Sequence, residues 1–394
     1  MDRPTPGVLF ITPWDLDSAG GVNQVVLNLF RMTQHHLHFQ PYHLVQKWES
    51  PYVSMATFQN RPTIYMRLYS PWGCQIRLKQ LVSFIFHLLP TAYRLLRLIR
   101  QHRIKVINIH YPGLSCVIFA LLKSLKLYRG PLILSFHGTD LNEITQSSPG
   151  LRRLWLWFFS QCEGLVACSQ ALTHLFLHAF PEARHKIHVI LNGIDPEVTA
   201  QELNACVPIL TYPQPYLVNV ATYEAKKGQD LLIDAFALIA DQFPSLNLIF
   251  AGRMGAYYAV LQKKIATSPY KNRIFMLIDL GHGQALQLIK AAQIFVLPSR
   301  VESFGLVILE AGLCETPVIA CDTGGIPEII QHNRHGLLFP LENTAALGEA
   351  LKLLLTNPDL GVAYSKALKQ RVIHQFSWKA AYDSYLKLFT GNCH

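Results

Sequence analysis

Short apolar runs recur along this chain, each bounded by turn residues and followed by an amphipathic stretch of helical length, and that alternation is its strongest constraint on fold. Strands buried on both faces read as continuous hydrophobic segments, and helices between them imply parallel sheets. Residues 8–12, 43–46, 63–68, 106–110, 132–137, 165–168 and 187–191 form a first set of strands. A second set begins at 216–221 and continues at 246–251, 273–277, 294–297, 318–321 and 336–339. Between its first two members, residues 228–243 predict a helix with Leu231, Leu232, Ala235, Phe236 and Ile239 on one face. At 394 residues, half of them hydrophobic, the chain exceeds what one core organises, so two doubly wound α/β domains are predicted. Pro196, Pro208, Pro213 and Pro215 occupy residues 195–215 without periodicity, which places the linker there.

The charge is unevenly spread. Lys and Arg number 35 against 25 Asp and Glu, a formal +10, yet no acidic residue lies between Glu49 and Asp140. Arg61, Arg67, Arg77, Lys79, Arg94, Arg97, Arg100, Arg103, Lys105, Lys123, Lys126 and Arg129 fill that gap. Unopposed bases favour an anionic partner, either a membrane surface or a phosphate-bearing substrate; no nucleic acid is expected. Residues 76–105 mix Leu, Phe and Ile with Arg at near-helical intervals, which fits an amphipathic face on anionic lipid or a helix packed on the sheet. The greasiest segment, 81–89, is broken by His87 and ended by Pro90, too short to cross a bilayer. The N-terminal run at 8–12 reads as neither signal peptide nor span. Eight Cys without a paired spacing, with Cys162, Cys168, Cys314 and Cys321 among apolar neighbours, predict buried free thiols in a reducing cytoplasm.

Ligands of open α/β sheets bind beyond the carboxyl ends of strands, so the segments that follow strands are where chemistry is expected. After the strand 294–297 come Pro298, Ser299, Arg300, Val301 and Glu302, then Ser303-Phe304-Gly305-Leu306 opening a helix. Backbone N–H groups there can receive a phosphate, Gly305 permits its close approach, and Glu310 further along can accept from hydroxyls. Lys226-Lys227-Gly228 follows the strand 216–221, where a Lys reaches an anion held at the next helix start. Gly20-Gly21 holds the same relative place in the first domain. His110 and His137 each end a strand, as does Asn192-Gly193-Ile194-Asp195, lining a site for hydroxyl and amide bonding. Asp15-Leu16-Asp17 lacks a third ligand and reads as loop chemistry rather than a metal site. Gly281-His282-Gly283 imitates a dinucleotide loop, but Leu286 stands where the third small residue belongs, and the motif is rejected.

Together with Thr323-Gly324-Gly325-Ile326-Pro327-Glu328 and Phe376-Ser377-Trp378, these segments resemble the retaining glycosyltransferases of family 4, over nearly the whole chain. The resemblance implies the GT-B fold, two Rossmann-like domains facing a cleft. Residues 1–200 would bind acceptor and 201–375 the nucleotide sugar, with 376–394 a helix crossing back to the first domain. By resemblance, Glu302 contacts the transferred sugar, Glu310 the ribose and Lys227 the diphosphate, while His137 lies beside sugar and acceptor. His137, Glu302 and Lys227 are thus the expected catalytic set; Gly20, Gly21, Lys227, Ser303, Phe304, Gly305, Leu306 and Glu310 the donor-binding set. The donor would be a UDP- or GDP-sugar and the acceptor a glycan or lipid-linked glycan; neither metal nor resident cofactor is expected. One departure stands out: the family carries an Arg about five residues before the Lys, where this chain has Thr222. Either Lys226, Arg253 or Arg300 replaces it, or donor turnover is weak. An epimerase on the same fold and a non-catalytic partner of a transferase are the alternatives.

Overall fold

The computed structural model describes residues 5–16, 20–36, 38–47, 54–58, 61–71, 78–206 and 212–391. Asp17, Arg77 and Pro208 lie outside the described residues. The chain divides into two compact units, one running to Leu191 and resuming at Trp378, the other spanning Asn192–Ser377.

The first unit holds strands β1 (Gly7–Thr12), β2 (Gln40–Gln46), β3 (Ser54–Phe58), β4 (Arg61–Met66), β5 (Ile104–His110), β6 (Leu132–Phe136), β7 (Gly164–Ala167) and β8 (Ile187–Val189). They form one sheet in the order β3-β4-β2-β1-β5-β6-β7-β8, parallel except for the β3/β4 pair. Strand β1 is buried along its full length between β2 and β5, which is why it reads as an uninterrupted apolar run. The second unit holds β9 (Tyr216–Val220), β10 (Asn247–Gly252), β11 (Ile274–Ile278), β12 (Ile294–Leu297), β13 (Val318–Cys321) and β14 (Leu337–Phe339). Their order is β11-β10-β9-β12-β13-β14, all parallel. Its core gathers Leu217, Phe236, Phe250, Leu261 and Leu351 with their neighbours; each side chain of this size removed from water contributes about 1.5–3 kcal/mol. In each sheet the winding reverses beside the first strand, between β1 and β5 and between β9 and β12. A crevice opens at such a reversal, beyond the strands' carboxyl ends.

The unit boundaries differ from the sequence expectation of 200/201 and 375/376. The expected linker contains a helix, Pro196–Ala205, packed on the helices His282–Ala291 and Leu306–Leu313 of the second unit. Its prolines mislead because Pro196 occupies the first helical turn, where no N–H is needed. Asp195 caps it, accepting from the N–H groups of Glu197 (3.0 Å) and Val198 (3.2 Å). The closing helix Trp378–Thr390 belongs to the first unit. It buries Trp378, Tyr382, Tyr385 and Phe389, with the Phe389 ring against Phe10 and Phe39.

A second departure concerns the greasy segment. Rather than ending at Pro90, the helix runs Leu78–Gln101 through it. Pro90 is exposed, so the carbonyl of Phe86 that loses its N–H partner sits on the outer side. At 24 residues this helix is long and apolar enough to cross a membrane by length and composition, with 28% of its apolar window buried. The described cysteines carry no disulfide; Cys162, Cys168 and Cys321 are buried and Cys314 is half-buried.

Candidate functional site

In the second unit, the loops leaving β9 and β12 meet at the winding reversal. The Arg300 N–H donates to the Lys226 carbonyl (2.7 Å), tying one loop to the other. Lys227 and Glu302, 75 residues apart in sequence, thereby pair at 2.7 Å, with side-chain exposures of only 19% and 15%. Ser299 Oγ donates to the same Glu302 oxygen (3.3 Å). Behind Glu302, the turn at Gly324-Gly325 supports its backbone: Gly325 N–H donates to the Glu302 carbonyl (3.0 Å). A Cβ on Gly324 (φ +53) would fall 1.8 Å from that carbonyl oxygen. This close approach accounts for the paired glycines of the motif.

Gly305 takes φ +102 as it caps the helix Leu306–Leu313, a conformation that favours glycine. Ser303 and Leu306 are half-buried at that helix start. Phe304 is not available as a side chain: it is 3% exposed and packs its ring on Phe376, leaving its backbone for any ligand. Glu310 projects from the same helix, 14% exposed, and accepts from His282 Nε2 (2.9 Å). His282 Nδ1 bonds Glu202 of the helix Pro196–Ala205. Burial works against a charged imidazole there, but the Glu202 and Glu310 carboxylates outweigh it and push His282 up to about 10. The rejected Gly281-His282-Gly283 segment thus supplies a cation that holds Glu310. Its partners lie 80 and 28 residues away, so no local pattern could reveal it; its place just past β11 was the one available signal.

The three candidates to replace the charge missing at Thr222 separate clearly. Arg300 grips Asp230 through two bonds of 2.8 Å and bonds Glu342 at 2.5 Å, so it is committed to holding the loops. Those carboxylates also hold Arg300 well above its ordinary range. Lys226 pairs with Glu224 at 2.7 Å. Arg253 is exposed and makes no side-chain hydrogen bond or ion pair among the described residues. The β9/β10 ladder continues beyond the strands, with Ala221 N–H to Ala251 (2.9 Å) and Tyr223 N–H to Arg253 (3.1 Å), which sets Arg253 beside Thr222.

The remaining predicted residues lie in the first unit. Gly20 adopts φ 167, extended backbone open to any residue, and Gly21 begins the helix Gly21–His35. His137 follows β6, with its Nε2 3.1 Å from His110 Nδ1. Burial lowers His137 to about 4 and His110 well below the usual imidazole range. Both rings are therefore neutral at neutral pH. Asp140 accepts from the N–H groups of His137 (3.0 Å) and Gly138 (2.7 Å), fixing the loop. Burial pushes Asp140 up to about 7 against those bonds.

Two doubly wound units, each with its polar residues beyond the strand ends of a winding reversal, define the GT-B class of glycosyltransferase folds. Residues 19–198 match the model of "Glycosyltransferase Family 4" and residues 210–371 that of "Glycosyl transferases group 1". Alpha-maltose-1-phosphate synthase of Mycobacterium tuberculosis is 31% identical over 248 residues, 58% of this chain and 63% of the relative. The chain thus spans somewhat under two thirds of that relative's length. Among solved structures, sucrose-phosphate synthase from Thermosynechococcus elongatus superposes with a TM-score of 0.77 at 20% identity, covering 98% of this chain and 99% of that one. Anabaena HepE in complex with UDP-glucose does so with 0.74 at 19% identity, covering 98% and 99%. The chain belongs to the glycosyltransferases of family 4.

Proposed function

We propose that the protein is a retaining hexosyltransferase that moves a sugar from a UDP- or GDP-sugar to a glycan or lipid-linked acceptor. The half-buried Lys227–Glu302 pair at the β9/β12 reversal, with Glu310 on the adjoining helix, carries the reading. Incoming diphosphate competes with Glu302 for Lys227, freeing the carboxylate to bond the hexose. The N–H groups at the start of Leu306–Leu313 and Lys227 then stabilise charge developing on the leaving diphosphate, the kind of term that contributes most in such chemistry. Glu310, steadied on one oxygen by His282, keeps the other for ribose hydroxyls. Arg253 supplies the second cation toward the diphosphate in place of Thr222. The leaving phosphate takes the acceptor's proton, so the scheme requires neither a metal ion nor a protein nucleophile. Neutral His137 bonds sugar or acceptor hydroxyls. HepE's capture with UDP-glucose supports a UDP-sugar first.

The base-rich segment 61–129 lies against an anionic membrane surface in this reading, which is supported by its lack of acids and by the apolar exposure of Leu78–Gln101. Thermal-shift titration with UDP, GDP and their hexose conjugates identifies the donor. Lys227→Ala and Glu310→Ala then lose transfer while keeping the wild-type circular dichroism. Full activity in either variant refutes the assignment.

A further inference from the structure

A cavity of about 710 Å³ opens in the first unit at the β1/β5 reversal. Four aromatic residues line it: Trp14 after β1, Tyr111 after β5, Tyr69, and the largely buried Trp155 from the helix Pro149–Ser160. Trp14 and Tyr111 stand edge to face, 4.8 Å between centroids. Polar groups are interspersed, with exposed Glu143 and half-buried Gln80 reaching the same space. Asp140 also lines it, but its carboxylate is already used by backbone N–H groups. A pyranose has apolar C–H faces that lie on aromatic rings and hydroxyls that carboxylates and amides accept, and this wall offers both. Among the described lining residues, an anionic ligand would meet Glu143 and Asp140 against the single base Lys79.

The same cavity borders the helix Leu78–Gln101 through Lys79, Gln80 and Ser83, and His87 of that helix stacks on Tyr69 (4.0 Å, 8° between planes). On its outer side, Leu78, Val82, Ile85, Phe86, Leu89 and Tyr93 are 58–79% exposed. At about 100° per residue these six fall within a stripe roughly 100° wide, opposite the buried Phe84, Leu95 and Leu98. Lys79 and Arg97 lie along one edge of the stripe, and no acid occurs from residue 50 to 139. An apolar face with bases along one edge and no opposing acids matches the surface of an anionic bilayer.

We propose that the cavity binds a neutral saccharide unit and that the stripe on Leu78–Gln101 seats the lipid that bears it, so that the acceptor is a glycolipid taken directly from an anionic membrane. This rests on the transferase reading and specifies its acceptor. The saccharide lies on the rings while its hydroxyls bond Glu143 and Gln80, and the chain leaves past Ser83 onto the stripe.

Alkyl glucosides of increasing chain length, kept below their micelle concentrations, test this by tryptophan fluorescence. Binding is expected to quench emission and to tighten by up to about fourfold for each methylene that leaves water. Trp14→Phe should remove part of the quenching. The double variant Phe86→Ser/Leu89→Ser, at two positions 77% and 79% exposed, should flatten the chain-length gain and release the protein from phosphatidylglycerol vesicles in sedimentation. Affinity independent of chain length in the wild type, or vesicle binding retained by the double variant, overturns the proposal. Tighter binding of alkyl phosphates than of alkyl glucosides overturns the neutral saccharide. UDP and GDP titrations on the same samples report the second unit separately: loss of nucleotide binding with glucoside binding intact strikes the donor reading, and the reverse strikes this inference.

Discussion

Alanine at Gly324 tests whether the paired glycines exist to place Glu302. A Cβ there would lie 1.8 Å from the Glu302 carbonyl oxygen and 2.9 Å from its carbon, whereas real Cβ contacts essentially never fall under 3.0 Å. The Glu302 backbone must therefore retreat by more than 1 Å. Alanine must also hold φ +53, which costs about 1–2 kcal/mol for a residue with a side chain. A catalytic group misplaced by about 1 Å loses roughly 100-fold in rate, equivalent to about 2.7 kcal/mol of transition-state stabilisation. Initial rates of donor consumption should then fall about 100-fold in kcat/KM, without a loss of nucleotide affinity, because the diphosphate competes with Glu302 for Lys227. The melting temperature should drop only a few degrees, because Gly324 is exposed and lies outside the core. Gly150→Ala is the control, since its Cβ meets nothing within 4 Å, and should leave both readouts unchanged. A folded Gly324→Ala protein with kcat/KM within threefold of wild type would refute the reasoning.

Other expectations follow from the same geometry. Arg253→Ala should weaken nucleotide diphosphate binding by roughly 10- to 100-fold, the worth of a charged hydrogen bond, and adding Thr222→Arg should restore most of it; calorimetry that finds no loss, or no rescue, removes Arg253 from the site. His282 is pushed up to about 10 from an ordinary 6.5, so the stability it contributes is complete below about pH 6.5 and drains away as pH rises through 10. The unfolding free energy from urea titration of the wild type, minus that of His282→Gln, should shrink across that window from about 2 kcal/mol at pH 7; a constant difference contradicts the charged bridge. Tyr385→Phe removes the buried bond from its hydroxyl to Ser135 Oγ (3.2 Å), costing about 1 kcal/mol, read as a melting temperature lower by about 2–4 °C; an unchanged value contradicts that bond.

The central strands were legible in the sequence because parallel strands covered on both faces leave no polar alternation, as in β1 and β12. Strand β3 was missed for the opposite reason: Ser54, Met55, Ala56 and Thr57 are exposed on an antiparallel edge, so no burial imprints a pattern. Proline punctuated less than expected, since Pro196 opens a helix and Pro90 lies inside one. Within the candidate site, Lys227, Glu302 and Glu310 were legible as candidates because each lies beyond the end of a strand. The groups that hold them in place were not, because His282 with Glu202, and Arg300 with Asp230, become neighbours only when distant helices pack.

The chain enters the second unit at Asn192 and leaves it at Ser377, and the two crossings are joined side by side, with Ile194 N–H donating to the Phe376 carbonyl (2.8 Å) and Ile194 bridged to Ser377. The first unit is thus interrupted by the whole of the second. On the ribosome, Phe10 and Phe39 emerge early but await Phe389, which is synthesised only after the second unit is complete. The usual N-terminal-first order therefore applies here only in part: the first unit's eight strands are made before the second unit, but its core gains its last helix only after that unit has been synthesised.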